Sequence, residues 1–401
     1  MAQHRKHRNR LMSGGGTANL IFTVIVVVTV AILGALLYSD HVQEDENAAK
    51  LNALVEQERE RRIAEEQEQR LEAQRREQLR KEDSFYQKLA DGFDVNLLIV
   101  GDSIAQGAGA SDRSHAWASM LAESIHRTYN VKANMTNVSM GGNSSYAGYV
   151  RTMALDNDVD YDLVVICYGQ NDGLLNFDLY YESIIQAVKN KYPNASIICI
   201  LESSQRDYTA KMQTIQAIAA HYELPVADTI APFRDNYDSL ANSDGVHPND
   251  AGHEVYCETV MSVIEPLVTA RQGRDPEAEI INDAVTIFDT FQWIPADKFV
   301  REGNTFVCNT NVQGTIMGID YNFTSGENSC KIYVDDVEYA APEVSFNYDF
   351  SQRHIMILNN WTAGDAVNIQ NELRIVFDDS EAGTKQADGF KGIAISGLIA
   401  E

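Results

Sequence analysis

Four polar residues, far apart in the chain, have the types that acyl transfer at a hydroxyl group requires. Ser103 lies in Gly-Asp-Ser, Asn171 in Gly-Gln-Asn-Asp, and Asp244 and His247 in Asp-Gly-Val-His-Pro. Such chemistry needs a nucleophile, a base that takes its proton, an acid that orients the base, and donors to the oxyanion. Ser103, His247, Asp244 and Asn171 can fill these roles in that order, so we expect a serine esterase.

The spacing of the proposed base and its acid is informative. Asp244 precedes His247 by three residues, and Pro248 follows. A carboxylate bound to Nδ1 fixes the tautomer in which Nε2 is free to accept the Ser103 proton. Taken alone, the pair also fits a turn followed by a helix cap. Its combination with the other motifs favours catalysis.

A glycine pair in Ser-Met-Gly-Gly-Asn offers a further donor. Gly142 can present its backbone N–H to the oxyanion, and Gly141 is the competing choice. Either glycine also fits a turn with positive φ.

In their order along the chain, these motifs resemble those of the SGNH, or GDSL-type, serine hydrolases. The resemblance covers about residues 94–272, with Ile104 in place of the leucine that the family has after Gly-Asp-Ser. It implies a flavodoxin-like three-layer α/β/α domain with a parallel sheet. The site residues that it implies are a triad of Ser103, Asp244 and His247 and an oxyanion hole of Ser103, Gly142 and Asn171.

Residues 91–272 alternate apolar runs with helical periodicity, which independently predicts a parallel α/β sheet covered on both faces. Strands are expected at Val95–Val100, Ala133–Val138, Leu163–Tyr168, Ser196–Leu201 and Pro225–Asp228, and helices at Ala116–Tyr129, Leu179–Lys191, Ala210–Tyr222 and Ala251–Ala270. Ligands bind at the carboxyl ends of such strands, so Ser103 and Asn171 should meet there.

The first 90 residues predict a membrane anchor and a stalk. Residues 1–17 form a basic tail, and residues 18–38 are uncharged and mostly apolar. At about 1.5 Å per residue the apolar run is long enough to cross a bilayer, although a cleaved signal peptide is the alternative. The basic flank would leave the rest of the chain outside the cytoplasm. Residues 39–90 favour a charged helical stalk, or a coiled coil that would make a homo-oligomer.

Residues 273–401 contain short alternating apolar runs, which predict an antiparallel β-sandwich of jelly-roll type. The runs are Ala284–Phe288, Thr305–Cys308, Thr315–Tyr321, Lys331–Val334, Val344–Tyr348, His354–Leu358, Leu373–Phe377 and Gly392–Ile399. Cys308 and Cys330 can form a disulfide or stay free, and the sequence leaves both alternatives open.

The composition and the motifs limit the classes of partner and cofactor that we expect. A formal net charge of -26 disfavours nucleic acid. We expect no cofactor and no metal, and we interpret His253 and Glu254 as ordinary helix residues because a metal site needs more ligands.

Taken together, the motifs and the N-terminal segments predict an extracytoplasmic, membrane-anchored esterase that hydrolyses acyl esters, chiefly acetyl, on carbohydrate. An O-acyltransferase, a lipase or a thioesterase would use the same triad, and a glycan-binding surface protein with an inactive hydrolase scaffold is the alternative from another class.

Overall fold

The computed structural model describes residues 16–37, 44–155, 158–282, 291–346, 351–357, 367–369 and 371–396. The chain divides into two compact units, Met1–Gln78 and Leu79–Glu401. Nearly all of the predicted basic tail and the predicted strand at 284–288 lie outside the described residues.

Two helices, α1 (Gly16–Leu37) and α2 (Glu44–Glu82), account for the described part of the first unit, and α2 continues into the second. Both segments were expected to be helical. Among the described residues, no helix combines the length and the apolarity that crossing a membrane demands. The membrane anchor therefore stays a prediction.

A short helix that follows α2 in the second unit lies within the residues predicted as the stalk. α3 (Phe85–Ala90) starts at a capping box in which Ser84 and Gln87 bond to each other's backbone. Phe85 and Tyr86 are fully buried in the core of the α/β domain. The predicted boundary at residue 90 is thus too late, because these aromatic side chains belong to the core.

A five-stranded parallel sheet forms the centre of the α/β domain, in the order β2-β1-β3-β4-β5. The strands are β1 (Val95–Gly101), β2 (Ala133–Asn137), β3 (Leu163–Cys167), β4 (Ser196–Leu201) and β5 (Val226–Asp228). Alternate residues of β1 enter different apolar clusters, Leu98 in one and Leu97 in the other. Both faces are therefore covered, as continuous apolar strands require, and the predicted parallel α/β fold is confirmed.

The helices of this domain lie between and after the strands. They are α4 (Ser103–Gln106), α5 (Trp117–Tyr129), α6 (Ser145–Ala154), α7 (Phe177–Lys191), α8 (Ala210–His221), α9 (Ile230–Phe233), α10 (Tyr237–Leu240) and α11 (Asp250–Thr269). The four predicted helices are present, whereas α6 was not predicted. Eight of its ten residues are buried, so it lacks the polar face by which a surface helix is recognised.

The C-terminal region is antiparallel and β-rich, as predicted. Its elements are β6 (Phe291–Pro295), β7 (Val300–Glu302), β8 (Thr305–Asn309), β9 (Val312–Phe323), β10 (Gly326–Ser329), β11 (Lys331–Val334), β12 (Val337–Ala340), β13 (Glu343–Phe346), β14 (Gln352–Ile357), β15 (Val367–Ile369), β16 (Glu372–Val376), α12 (Glu381–Asp388) and β17 (Gly392–Ser396). One sheet runs β12-β11-β16-β8-β7 and another β14-β9-β17-β6. Ile332 of the first and Ile319 of the second enter one apolar cluster.

Cys308 and Cys330, whose pairing the sequence left open, are both buried free thiols.

Candidate active site

Ser103 lies where the first strand turns into a helix. β1 ends at Gly101, and the carboxylate of Asp102 caps α4 by accepting the N–H of Ile104 at 2.9 Å. A side chain at Gly101 would come within 2.6 Å of the carbonyl oxygen of Cys167 on the neighbouring strand. Only glycine fits there, so this turn presents Ser103 at the carboxyl edge of the sheet.

Ser103, His247 and Asp244 form one hydrogen-bonded chain. His247 Nε2 lies 2.9 Å from Ser103 Oγ, and its Nδ1 lies 2.7 Å from Asp244 Oδ2. With Nδ1–H donating to the carboxylate, Nε2 is free to accept the serine proton. The structure thus brings together the three residues that the sequence proposed as a triad.

The carboxylate of Asp244 is held on both oxygens. Oδ1 accepts the backbone N–H groups of Val246 at 2.8 Å and of His247 at 2.9 Å. Partial burial acts to raise the pKa of Asp244, but the hydrogen bonds from the His247 ring and from these N–H groups outweigh it and lower the pKa below its usual value. Asp244 therefore stays ionised and keeps the imidazole oriented.

The loop that carries His247 is tied to the loop after α4. The backbone N–H of Asn242 donates to the carbonyl oxygen of His247 at 2.8 Å. The side-chain amide of Asn242 donates to the carbonyl oxygens of Gly109 at 2.9 Å and Pro248 at 3.1 Å. A side chain at Gly109 would come within 2.1 Å of the Pro248 oxygen. This close approach holds the loop that carries His247 against the loop that follows α4.

Asn171 follows β3, and its amide lies beside the turn that carries Ser103. Its Nδ2 donates to Asp102 Oδ2 at 3.2 Å and to the backbone oxygen of Asn143 at 3.1 Å. Both bonds have distances at the upper end of the usual range for N–H donors. One of them must open for the amide to donate to an oxyanion.

Gly141 lies next to Ser103. A side chain there would lie 3.3 Å from Ser103 Cβ and 2.5 Å from the amide nitrogen of Gln352, which belongs to β14. The N–H of Gly141 donates to Oε1 of Gln106 at 2.9 Å. The C-terminal region thus places a polar side chain beside Ser103.

Gly142, the predicted backbone donor, adopts φ +70°, which favours glycine. A side chain there would come within 2.5 Å of Cε1 of His354, also on β14. Glycine is therefore favoured at position 142 by both conformation and packing, and the choice of Gly142 as oxyanion donor stays a prediction.

His354 joins this loop through Asn143. Nδ2 of Asn143 lies 3.3 Å from His354 Nδ1 and donates to the carbonyl oxygens of Gly141 at 2.9 Å and Arg353 at 3.3 Å. Burial, assisted by the positive charge of Arg151, lowers the pKa of His354 to about 4. The ring is therefore neutral near pH 7 and can accept the Asn143 amide.

Two buried carboxyl groups lie beneath Ser103 and Asn171. Asp102 and Glu202 are both fully buried, and their side chains hydrogen-bond to each other. Burial and the charge of Glu202 raise the pKa of Asp102 well above its usual value, and burial raises the pKa of Glu202 to about 7. The pair therefore holds a proton near neutral pH.

A third acid, Asp172, accepts the N–H of Ser145 at 2.9 Å and its hydroxyl at 2.6 Å. Burial raises the pKa of Asp172 to about 6 against the effect of these bonds. Asp172 thus fastens the start of α6 to the loop that carries Asn171.

His253, interpreted from the sequence as an ordinary helix residue, is fully buried on α11. Its Nδ1 accepts the N–H of Trp117 at 3.4 Å, and its Nε2 lies 3.1 Å from the carbonyl oxygen of Ala108.

Known proteins resemble the α/β domain of this chain in sequence. Residues 99–255 match the model of the GDSL-like Lipase/Acylhydrolase family. The chain is 26% identical to Esterase TesA of Pseudomonas aeruginosa over 181 residues, which are 43% of this chain and 89% of the relative. It is 27% identical to Thioesterase 1/protease 1/lysophospholipase L1 of Escherichia coli K12 over 180 residues, 43% of this chain and 84% of the relative.

A solved structure shares the fold beyond the α/β domain. The crystal structure of a two-domain esterase active on acetylated mannans matches with a TM-score of 0.61 at 17% identity and covers 78% of this chain and 94% of that one. A match of that extent includes the C-terminal region as well as the parallel sheet.

Proposed function

Since residues 99–255 form a domain of the GDSL-like lipase/acylhydrolase family, we propose that this serine ester hydrolase removes acetyl groups from a carbohydrate. The observation that carries the proposal is the chain from Ser103 Oγ through His247 to Asp244, with distances of 2.9 and 2.7 Å. These distances suit proton transfer during nucleophilic attack.

The reaction proceeds in two steps. As Ser103 Oγ attacks the ester carbonyl, His247 Nε2 takes its proton, and the N–H groups of Ser103, Gly142 and Asn171 receive the negative oxygen. The bond to the alcohol breaks, and His247 returns the proton to the leaving oxygen. Water then attacks the acyl-serine with His247 as base, which releases the acid and restores the hydroxyl of Ser103.

The carbohydrate part of the proposal is supported by polar groups next to Ser103. Gln106 and Gln352 both lie against Gly141, and amides of this kind suit the hydroxyl groups of a sugar. The two-domain esterase that shares the fold acts on acetylated mannans. We propose that the C-terminal region is a jelly-roll-like sandwich that helps to hold the glycan.

The test is acetate release by the purified full-length protein from acetylated mannan and xylan, compared with acyl-coenzyme A and lysophospholipid. We expect the polysaccharides to be hydrolysed faster and Ser103→Ala to lose the activity. Faster turnover of the thioester or lipid would favour the activities named for the sequence relatives. Adding a free glycan acceptor separates hydrolysis from transfer, because a transferase would acetylate the glycan.

An inactive scaffold is tested separately. An active serine hydrolase should be labelled by a fluorophosphonate at Ser103, as peptide mass spectrometry would show. Absence of label would favour the glycan-binding alternative.

We also propose that residues 18–38 anchor the enzyme in the membrane with its catalytic domain outside the cytoplasm. The support is the uncharged sequence, together with exposed apolar side chains on α1 such as Leu20 (68%) and Val27 (60%). The protein should stay with membranes during alkaline carbonate extraction, and full release would contradict the anchor. The stalk as an oligomerisation segment is testable by sedimentation in detergent.

A further inference from the structure

We infer that Glu202 is a positioning residue. By sharing a proton with Asp102, Glu202 keeps the side-chain amide of Asn171 ready to donate to the oxyanion. The inference rests on the proposed function, because that function assigns Asn171 its role. Glu202 itself touches no reacting atom and acts through its neighbours.

Glu202 lies directly after β4, next to the strand that leads to Asn171, and it is fully buried. Its Oε2 accepts the N–H of Gln170 at 2.7 Å, and its Oε1 accepts the Cys167 thiol at 3.5 Å. Gln170 is the residue before Asn171. The carboxyl group therefore fixes the backbone of the loop from which the proposed donor extends.

Asp102 connects Glu202 to the side chain of Asn171. Its Oδ1 accepts the N–H of Ile104 at 2.9 Å, and its Oδ2 accepts the Asn171 amide at 3.2 Å. A hydrogen bond between two carboxyl groups requires a proton on one of them. This hydrogen bond acts to raise the pKa of Asp102 and to lower that of Glu202, so the proton resides on Asp102 and the negative charge on Glu202.

The surroundings favour one retained proton. Two ionised carboxylates in contact and away from water would repel each other strongly. The other ionisable side chains acting on the pair include Asp172 and the buried Cys167, while Lys211 acts on Asp172. Tyr168, Tyr181 and Tyr256 are fully buried and neutral, because burial raises their pKa well above the usual value.

The negative charge affects the oxyanion differently on Glu202 than on Asp102. A neutral Asp102 accepts the Asn171 amide weakly, so the amide can turn to a developing negative oxygen. In Glu202→Gln, the new carboxamide donates to Asp102 and still accepts the Gln170 N–H, so Asp102 ionises. The charge then lies beside the Asn171 amide and competes for its protons.

The experiment is a double-mutant cycle on p-nitrophenyl acetate hydrolysis. We expect Asn171→Ala to lower kcat by about 10²- to 10³-fold. Glu202→Gln alone should lower kcat about tenfold with KM nearly unchanged, and in the Asn171→Ala background it should change kcat less than about twofold. A merely structural role would give the same loss in both backgrounds.

Glu182→Gln is the matched control. Glu182 is also buried and accepts the hydroxyl of Tyr222 and the N–H groups of Ile281 and Asn282 rather than any group of the site. It should lower the melting temperature without lowering kcat. If Glu202→Gln does not fold, the cycle is repeated with Glu202→Asp, which withdraws the carboxyl group from Asp102 and should lose kcat similarly.

The outcomes separate the two proposals. Normal kcat in the Glu202 variant, or equal losses in both backgrounds, overturns this inference while Asn171 keeps its role. A normal rate for Asn171→Ala removes Asn171 from the oxyanion hole, and with it this inference. A normal rate for Ser103→Ala overturns the esterase mechanism itself.

Discussion

His354 of the C-terminal region contacts the backbone of Gly142 so closely that a methyl group on the glycine would lie 2.5 Å from the imidazole Cε1. The two residues are 212 positions apart: Gly142 lies in the turn between β2 and α6 of the α/β domain, and His354 lies on β14 of the C-terminal region. Because Gly142 lies on the loop beside the nucleophile, the C-terminal region forms one wall of the candidate active site. The C-terminal region therefore contributes side chains to the candidate site itself.

Gly142→Ala tests this contact. The substitution adds a methyl group at φ +70° against His354, so we expect kcat to fall at least about tenfold, since displacing the proposed oxyanion donor would be costly. The measurement is steady-state hydrolysis of p-nitrophenyl acetate alongside thermal unfolding.

Gly92→Ala is the matched control for that variant. Gly92 also has φ +70°, but a side chain there meets nothing within 4 Å. It should lose about 1 kcal/mol of stability from backbone strain and keep its kcat. Equal kinetics in the two variants would mean that the Gly142 contact is unimportant for catalysis.

The pKa of His354 predicts a pH dependence of stability. Burial lowers this pKa from 6.5 to about 4 in the folded protein. Between these values the unfolded chain binds a proton that the folded protein does not, so stability falls as pH falls from about 6.5 to 4. The contribution is roughly 3 kcal/mol at full extent.

His354→Gln removes this titration while leaving an amide that can accept from Asn143. The difference in unfolding free energy between the variant and the natural protein should therefore change between pH 6.5 and 4. Urea titrations at four pH values measure it. A constant difference would show that His354 is already protonated or exposed in the folded state.

Much of the α/β domain could be predicted because its strands are continuous apolar runs that a two-sided parallel sheet must bury. β4 (Ser196–Leu201) was predicted with its observed bounds. The unpredicted helix α6 contains Gly148, where a side chain would come within 2.4 Å of the Tyr168 ring. Tertiary packing, which the local pattern does not encode, determines that helix.

The candidate site was predictable only where one motif carries the chemistry. Ser103, Asn171, Asp244 and His247 follow from motif and order. Glu202 belongs to none of the motifs and has only a local signal, an acid placed directly after a buried strand. Gln352 and His354 had none, because their approach to the glycine pair depends on how two folded regions pack together.

Asp244→Asn tests the orienting acid. The amide would favour the wrong tautomer of His247, and we expect a loss of about 10⁴-fold in kcat. KM should change little, because the substitution leaves the cleft intact. Stopped-assay measurements with high enzyme concentration make so large a loss measurable.

The chain offers a control with the same spacing. Asp112 and His115 are also three residues apart, with Asp112 Oδ1 3.1 Å from His115 Nδ1. Asp112→Asn breaks a comparable pair outside the hydrogen-bonded chain to Ser103 and should leave kcat within about twofold. A loss similar to that of Asp244→Asn would mean that the wrong pair had been placed in the triad.

Gln352→Ala tests whether the C-terminal region recognises the carbohydrate. A side chain at Gly141 would come within 2.5 Å of the Gln352 amide nitrogen and 3.3 Å of Ser103 Cβ, so Gln352 and Ser103 are neighbours. Losing a hydrogen bond to a sugar hydroxyl should raise KM for acetylated mannan about tenfold and leave p-nitrophenyl acetate hydrolysis nearly unchanged, because that ester has no sugar hydroxyl group for the amide to bind. Gln292→Ala, at an exposed glutamine of β6, should change neither substrate's kinetics. If Gln352→Ala impairs both substrates equally, the residue supports the nucleophile's surroundings and does not select the glycan.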